Sequence, residues 1–238
     1  MKSKFVLLSL LVIMPSGLLI TSCDDFFSNM GLTEAEVVEG LKEALVVGTN
    51  NSVVLANAEN GYFLHQIIKI PFPPEAETAR DVMVNHLGLG SLVEQFIMEL
   101  NRAAEHAAVK AKPIFINAIT SITINDAWDI LYGENNAATM YLHNRTFSAL
   151  FTAFAPDITT SLETVGASQT WSTLVGYYNS YANISPIHNP INPDIGEYTT
   201  DRALGGLFHL IEVEEEKIRL DPTARINDIL QRVFGELD

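Results

Sequence analysis

After residue 32, apolar residues recur every three or four positions along most of the chain, the period of helices with one buried face. Thr33-Glu34-Ala35-Glu36 has the form of a capping box, and Val37, Val38, Leu41, Ala44 and Leu45 follow it, so a helix is expected from there to about Gly48. The pattern resumes over 51–60 and stops at Gly61. Ser91-Leu92-Val93-Glu94 reads as a second capping box, ahead of Phe96, Leu100, Ala103 and Ala107 at helical spacing. The alanines from Ala103 to Ala111 make that helix narrow, suited to close packing at the centre of a bundle. Pro113 is expected to restart the chain. Further helical patterns run from Thr123, where capping residues begin the segment, to Gly133, which is suited to a left-handed C-cap, then over 137–155 and 169–181.

Two stretches break the pattern. In Ile67-Ile68-Lys69-Ile70-Pro71-Phe72-Pro73-Pro74, each proline disfavours helix in the residue before it, so 67–74 is expected to be an extended apolar connector tucked into the core. Pro74-Glu75 then opens a helix that ends near Gly88. Residues 183–196, with prolines at 186, 190 and 193, predict a loop before a C-terminal helix pair at 197–235, the second helix starting at Asp221-Pro222. No alternating strand of any length is present. The expected fold is all-α: an irregular multi-helix bundle, one domain over 33–235.

The N-terminus follows a different logic. Lys2 and Lys4 precede an apolar run from Phe5 to Ile20, and Thr21-Ser22 precede Cys23, the chain's one cysteine. This is the layout of a secretory signal peptide over 1–22. Ile20-Thr21-Ser22-Cys23 resembles a lipobox, so Cys23 is expected to carry lipid and 23–32 to serve as a tether to the membrane. Buried acyl carbons at about 0.8 kcal/mol per CH₂ would hold the protein on a bilayer.

Charge narrows the partners. The 238 residues carry a net charge of −15, and loss of Lys2 and Lys4 leaves 12 basic against 29 acidic side chains, or −17. Such a body is a poor match for nucleic-acid phosphates, so no nucleic-acid partner is expected. A single cysteine excludes an intramolecular disulfide. Nucleophile-elbow, phosphate-loop, dinucleotide and His-Glu-x-x-His motifs are absent from the sequence.

What remains is a small set of polar groups. Glu212, Glu215, Glu216 and Arg219 share one helix face, expected to be solvated, where Glu215 and Arg219 would form an i, i+4 pair worth about 0.2–0.5 kcal/mol. Asn101, Arg102 and Glu105 flank the alanine-rich helix, where a buried Arg–Glu pair is the plain expectation and a ligand pocket the sharper one. His209 and Glu212 are spaced for a shared metal ion but lack a second such motif, and no metal or cofactor is assigned. Asp126 completes the candidate polar site.

Several of these stretches together resemble one family. Ile68 to Pro73, Asn101-Arg102-Ala103-Ala104-Glu105, Asp126-Ala127 through Gly133 to Thr139, and Glu215 to Arg219 with Pro222, Arg225 and Val233-Phe234-Gly235 resemble, in order, blocks of the bacterial domain of unknown function 4197. Phe72 departs from the aliphatic residue expected there but stays apolar. The resemblance implies an exported envelope protein, often with a lipoprotein signal, and transfers no activity. The expectation is therefore a cell-envelope lipoprotein, periplasmic or surface-facing, that acts without catalysis by binding an envelope protein or maintaining the envelope. A glycan hydrolase using paired carboxylates such as Glu105 and Glu215, or a small-ligand binder around Arg102, is the alternative.

Overall fold

Each helix forms where the apolar spacing predicts one, and the computed structural model, which describes residues 31–238, shows why some run further than their punctuation suggests. α1 (Glu34–Asn57) opens on the expected capping box: Thr33 Oγ1 accepts from the Glu36 amide and the Glu36 carboxylate accepts from the Thr33 amide at 2.8 Å. The bonds that this carboxylate accepts from the Thr33 amide and hydroxyl lower its pKa. The helix does not stop at Gly48, because Gly48 lies on its buried face against Ile211 and Glu214, where a small residue lets the next helix approach. α2 (Glu77–Asn85) follows a short 3-10 turn at Pro74–Ala76.

α3 (Gly90–Ser121) corrects two expectations. It passes through Pro113 without restarting, since Val109, Lys110, Lys112 and Pro113 face solvent and water can satisfy the carbonyl that proline leaves unpaired. It also begins at Gly90, placing Ser91 inside the first turn, so the second capping box does not form. α4 (Ala127–Leu131) is short, and Gly133 after it lacks the left-handed conformation. Glycine is needed there for space: a Cβ would lie 2.9 Å from the Asp129 carbonyl oxygen. α5 (Ala137–Thr164) carries Pro156 within it, α6 (Ala167–Ala182) follows Gly166 at φ 89°, and α7 (Ile195–Leu220) is capped by Asp194, whose carboxylate accepts from the Gly196 and Glu197 amides.

The expected helix from Asp221 is interrupted. Asp221 caps only a 3-10 turn, and the chain bends at Arg225 because its guanidinium reaches back to the Ile218 and Arg219 carbonyls. Asn227 then caps α8 (Asp228–Phe234). Among the described residues the structure is all-α, with eight α-helices.

Four of these helices form a closed ring, α1 on α3, α3 on α5, α5 on α7 and α7 on α1. Long-range bonds set adjacent members antiparallel. Lys42 reaches the Thr120 carbonyl while Asn57 reaches that of Glu105, and His106 bonds Ser161 while Tyr141 bonds the Thr123 carbonyl. Thr139 bonds Glu215 while Phe147 packs on Phe208. The result is a four-helix bundle carrying α2, α4, α6 and α8 as an outer layer. The alanines from Ala103 to Ala111, with Phe96, Leu100 and Phe115, are fully or almost fully buried, which bears out α3 as the central packing helix. Residues 33–238 form one compact unit.

The connector is inserted as expected but extended only over 69–73, because residues 66–68 form a turn closed by the Lys69 amide on the His65 carbonyl and Pro74 opens the 3-10 turn. Ile68, Ile70 and Phe72 are buried while Ile67 is 68% exposed, so one face of the extended chain enters the core. Phe72 meets Phe96 and Trp171 edge to face. On α7, Gly206 lies so close to the Tyr62 ring that a Cβ would fall 2.6 Å from it, whereas a Cβ on Gly205 would meet nothing within 4 Å. Gly206→Ala is therefore expected to destabilise by about 1–3 kcal/mol through overpacking, and Gly205→Ala to stabilise by about 0.5–1 kcal/mol through helix propensity. Urea unfolding of the two variants side by side checks both signs.

Candidate functional site

The residues singled out in the sequence fall into two separate networks, each anchored where the backbone would otherwise be left unpaired. In the first, Asn101 is fully buried and its side-chain amide pairs with the connector like a neighbouring strand. Its Oδ1 accepts from the Ile70 amide and its Nδ2 donates to the Ile70 carbonyl, both at 2.8 Å, and also to the Ile97 carbonyl. One turn on, Glu105 accepts the Tyr62 and Phe63 amides at 3.1 Å and the Arg102 guanidinium at 2.5 Å. Arg102 extends to Asn60 and Glu59. The Arg102–Glu105 pair expected from the sequence forms, with Glu105 buried and Arg102 partly open to solvent. Burial, and then the Glu105 charge, push the Tyr62 phenol pKa up, and its hydroxyl donates to the Ala203 carbonyl.

In the second network half of the expected solvated face, Glu215 and Arg219, proves to be core. Glu215 is 0% and Arg219 3% exposed, because this face of α7 meets the ends of α4 and α5. Glu215 accepts the Ala138 amide at 3.0 Å and the Thr139 amide and hydroxyl at 2.7 Å, capping an α5 N-terminus that has no cap of its own. Arg219 binds Glu215 at 2.8 Å and donates to the Leu131 and Ile130 carbonyls at the C-terminus of α4. An anion therefore sits on amides and a cation on carbonyls, the favourable sense for both helix dipoles. Arg225 continues the chain of contacts, bonding the last carbonyls of α7 and both oxygens of Asp238 at 2.7 Å. Glu212 and Glu216 stay at the surface, with Asn136 and Asn135 as partners.

The structure does not bring the two networks together. Glu105 reaches α7 only through Tyr62, which ends at Ala203, about three turns before Glu215. Asp126 is exposed, makes no capping bond and joins neither group. His209 approaches Glu212 to 3.8 Å. Among the described residues no group of three or more His, Cys, Asp or Glu side chains is arranged to hold a metal ion.

Two concave surfaces lie elsewhere. A groove of about 710 Å³ runs between α3 and α5, floored by Ile114, Ala118, Ile122, Ala149, Leu150 and Ala153. Arg145 and Asn125 stand on its rim. A second, of about 600 Å³, is lined by Glu75, Asp194, Glu197 and Asp201 with Arg202. Sequence reasoning missed both, though the first left a trace. Its signals were Ala118, Ala149 and Ala153, small residues on facing helices, and a proline in each helix near one end of the groove.

Together the fold and these networks define a helical-bundle protein whose buried charges act as internal clamps. The chain belongs to the family described as protein of unknown function (DUF4197), which it matches over residues 31–235. No curated protein and no solved structure matches it.

Removing either partner of the buried pair strands the other without compensation, so Glu215→Ala and Arg219→Ala are each expected to cost about 3–5 kcal/mol in urea unfolding. The double variant should cost clearly less than their sum. Acid sensitivity has a separate source. Hydrogen bonding to Arg225 holds the Asp238 carboxyl below its ordinary value. Because the folded value lies below the unfolded one, the stabilisation is complete above the unfolded value and is lost as pH falls through the folded one. Below about pH 4 the wild type should therefore lose stability more steeply than Asp238→Asn, as read from denaturant midpoints across pH.

Proposed function

We propose that this is an exported, lipid-anchored protein of the bacterial cell envelope that works by binding and not by catalysis. The observation that carries the non-catalytic half is the saturation of Glu105 and Glu215, the two acids that the hydrolase reading needs. Each Glu215 oxygen accepts at least two hydrogen bonds, and the Glu105 carboxylate is divided between two amides and Arg102. Neither lines either of the two large grooves. A glycosidase needs two carboxylates about 5–10 Å apart across a substrate cleft, one free to give a proton, and these two serve different stretches of backbone, the turn at Tyr62 and Phe63 and the start of α5. The pocket reading around Arg102 loses ground for the same reason, since its guanidinium is engaged by Glu105 and Asn60.

The export half rests on the sequence: the basic start, the apolar run and Ser22-Cys23, all outside the described residues, together with the implication of the family resemblance. Among the described residues no helix is long and apolar enough to cross a membrane, so in this reading the lipid on Cys23 supplies the attachment. The full chain, expressed in a bacterium fed alkyne-palmitate, should take up label and sediment with membranes. Cys23→Ser should abolish the label. Label retained by that variant, or a wild type recovered unlabelled, contradicts the reading.

A further inference from the structure

We propose that the groove between α3 and α5 binds a single-chain amphiphile with an anionic head, a long-chain fatty carboxylate being the simplest, with the tail on the apolar floor and the head on Arg145. The inference rests on the non-catalytic binding role above and assigns that role a ligand.

The first support is shape. The volume, about 710 Å³, lies within the range of small-molecule sites, and six aliphatic side chains line it, with Thr123 and Thr146 beside them. Ala118, Ala149 and Ala153 leave the depth, because facing alanines do not fill the space between the helices. The antiparallel register set by the His106–Ser161 and Tyr141–Thr123 bonds brings Pro113 and Pro156 to matching levels, beside the end marked by Ile114 and Ala153. A mid-helix proline removes a backbone bond and crowds the carbonyl four residues back, so both walls are weakened as close-packing surfaces at the same place.

The second support is charge. In a strongly acidic protein, no carboxylate lines this groove and Arg145 is its one charged lining residue. Other arginines are already committed: Arg80 to Glu77, Arg102 to Glu105, Arg219 to Glu215, Arg225 to Asp238 and Arg232 to Glu36. Arg145 instead lies 4.4 Å over the Tyr141 ring, and the Tyr141 hydroxyl is fixed on the Thr123 carbonyl. Stacking occupies the face of a guanidinium and leaves its in-plane N–H groups for a carboxylate. Asn117, Ser121 and Asn125 add polar side chains on the same rim. The second groove has the opposite character, with four carboxylates that repel an anion and Arg202 placed over Tyr198.

The test uses the full chain in phosphatidylcholine nanodiscs and a diazirine-bearing analogue of palmitate as probe. After photolysis, labelled peptides are mapped by mass spectrometry. Labelling is expected to saturate on residues 114–125 and 145–153 and to be displaced by palmitate but not by hexadecyltrimethylammonium. Ala149→Trp, which fills the groove, and Arg145→Glu, which reverses its charge, should each weaken labelling about tenfold. Circular dichroism confirms that the variants fold. Ala153→Phe replaces Ala149→Trp if the latter does not, and the wild-type competition decides the matter by itself. Labelling outside these segments, equal displacement by the cation, or a groove closed by a second copy of the chain that palmitate does not displace overturns the proposal. The two readings fail separately: an empty groove leaves Cys23 labelling intact, and a chain that is never acylated can still bind the probe.

Discussion

Backbone amides and carbonyls at helix ends need partners, and where helix ends are buried water cannot supply them. In this protein Glu215 and Arg219 do so. Lying one turn apart on α7, they hold the start of α5 and the end of α4 in one ion pair, and thereby fix where the chain between α3 and α5 re-enters the bundle. Arg225 repeats the device at the end of α7, and Asn101 applies its neutral form to the connector. The helix ring could collapse through its apolar faces alone, but these polar contacts decide where the non-helical segments lie against it.

This arrangement bears on function by exhausting the chemistry that the sequence advertises. Glu105, Glu215 and Arg219 invite a catalytic reading, and here their lone pairs and protons are spent on the backbone and on paired side chains. What the clamps leave open is concave surface. Two grooves of similar size carry opposite electrostatic characters, one apolar with a single cation and the other lined with acids.

Much of this was legible in the sequence, for local reasons. The Thr33–Glu36 capping box, the alternating burial of the connector and the central alanine-rich helix follow from neighbours a few residues apart. Two of the misreadings share one cause. Whether Pro113 ends a helix depends on which way its i−4 carbonyl faces, and whether Glu215 and Arg219 are solvated depends on helices α4 and α5, some 80 positions away in the chain. Periodicity reports which face of a helix is apolar and is silent on a polar face that meets another helix end. The groove was hidden for the same reason, since alanines on two distant helices mark a gap only once their register is known.

The central claim is that buried charged and amide side chains hold backbone groups that would otherwise be unpaired. Native-state hydrogen exchange reads it residue by residue. The amides of Ala138, Thr139 and Ile70 should exchange only through global unfolding, orders of magnitude more slowly than those of Gly90 and Ser91 at the uncapped start of α3. Exchange of Ala138 and Thr139 as fast as at that uncapped end would contradict the account.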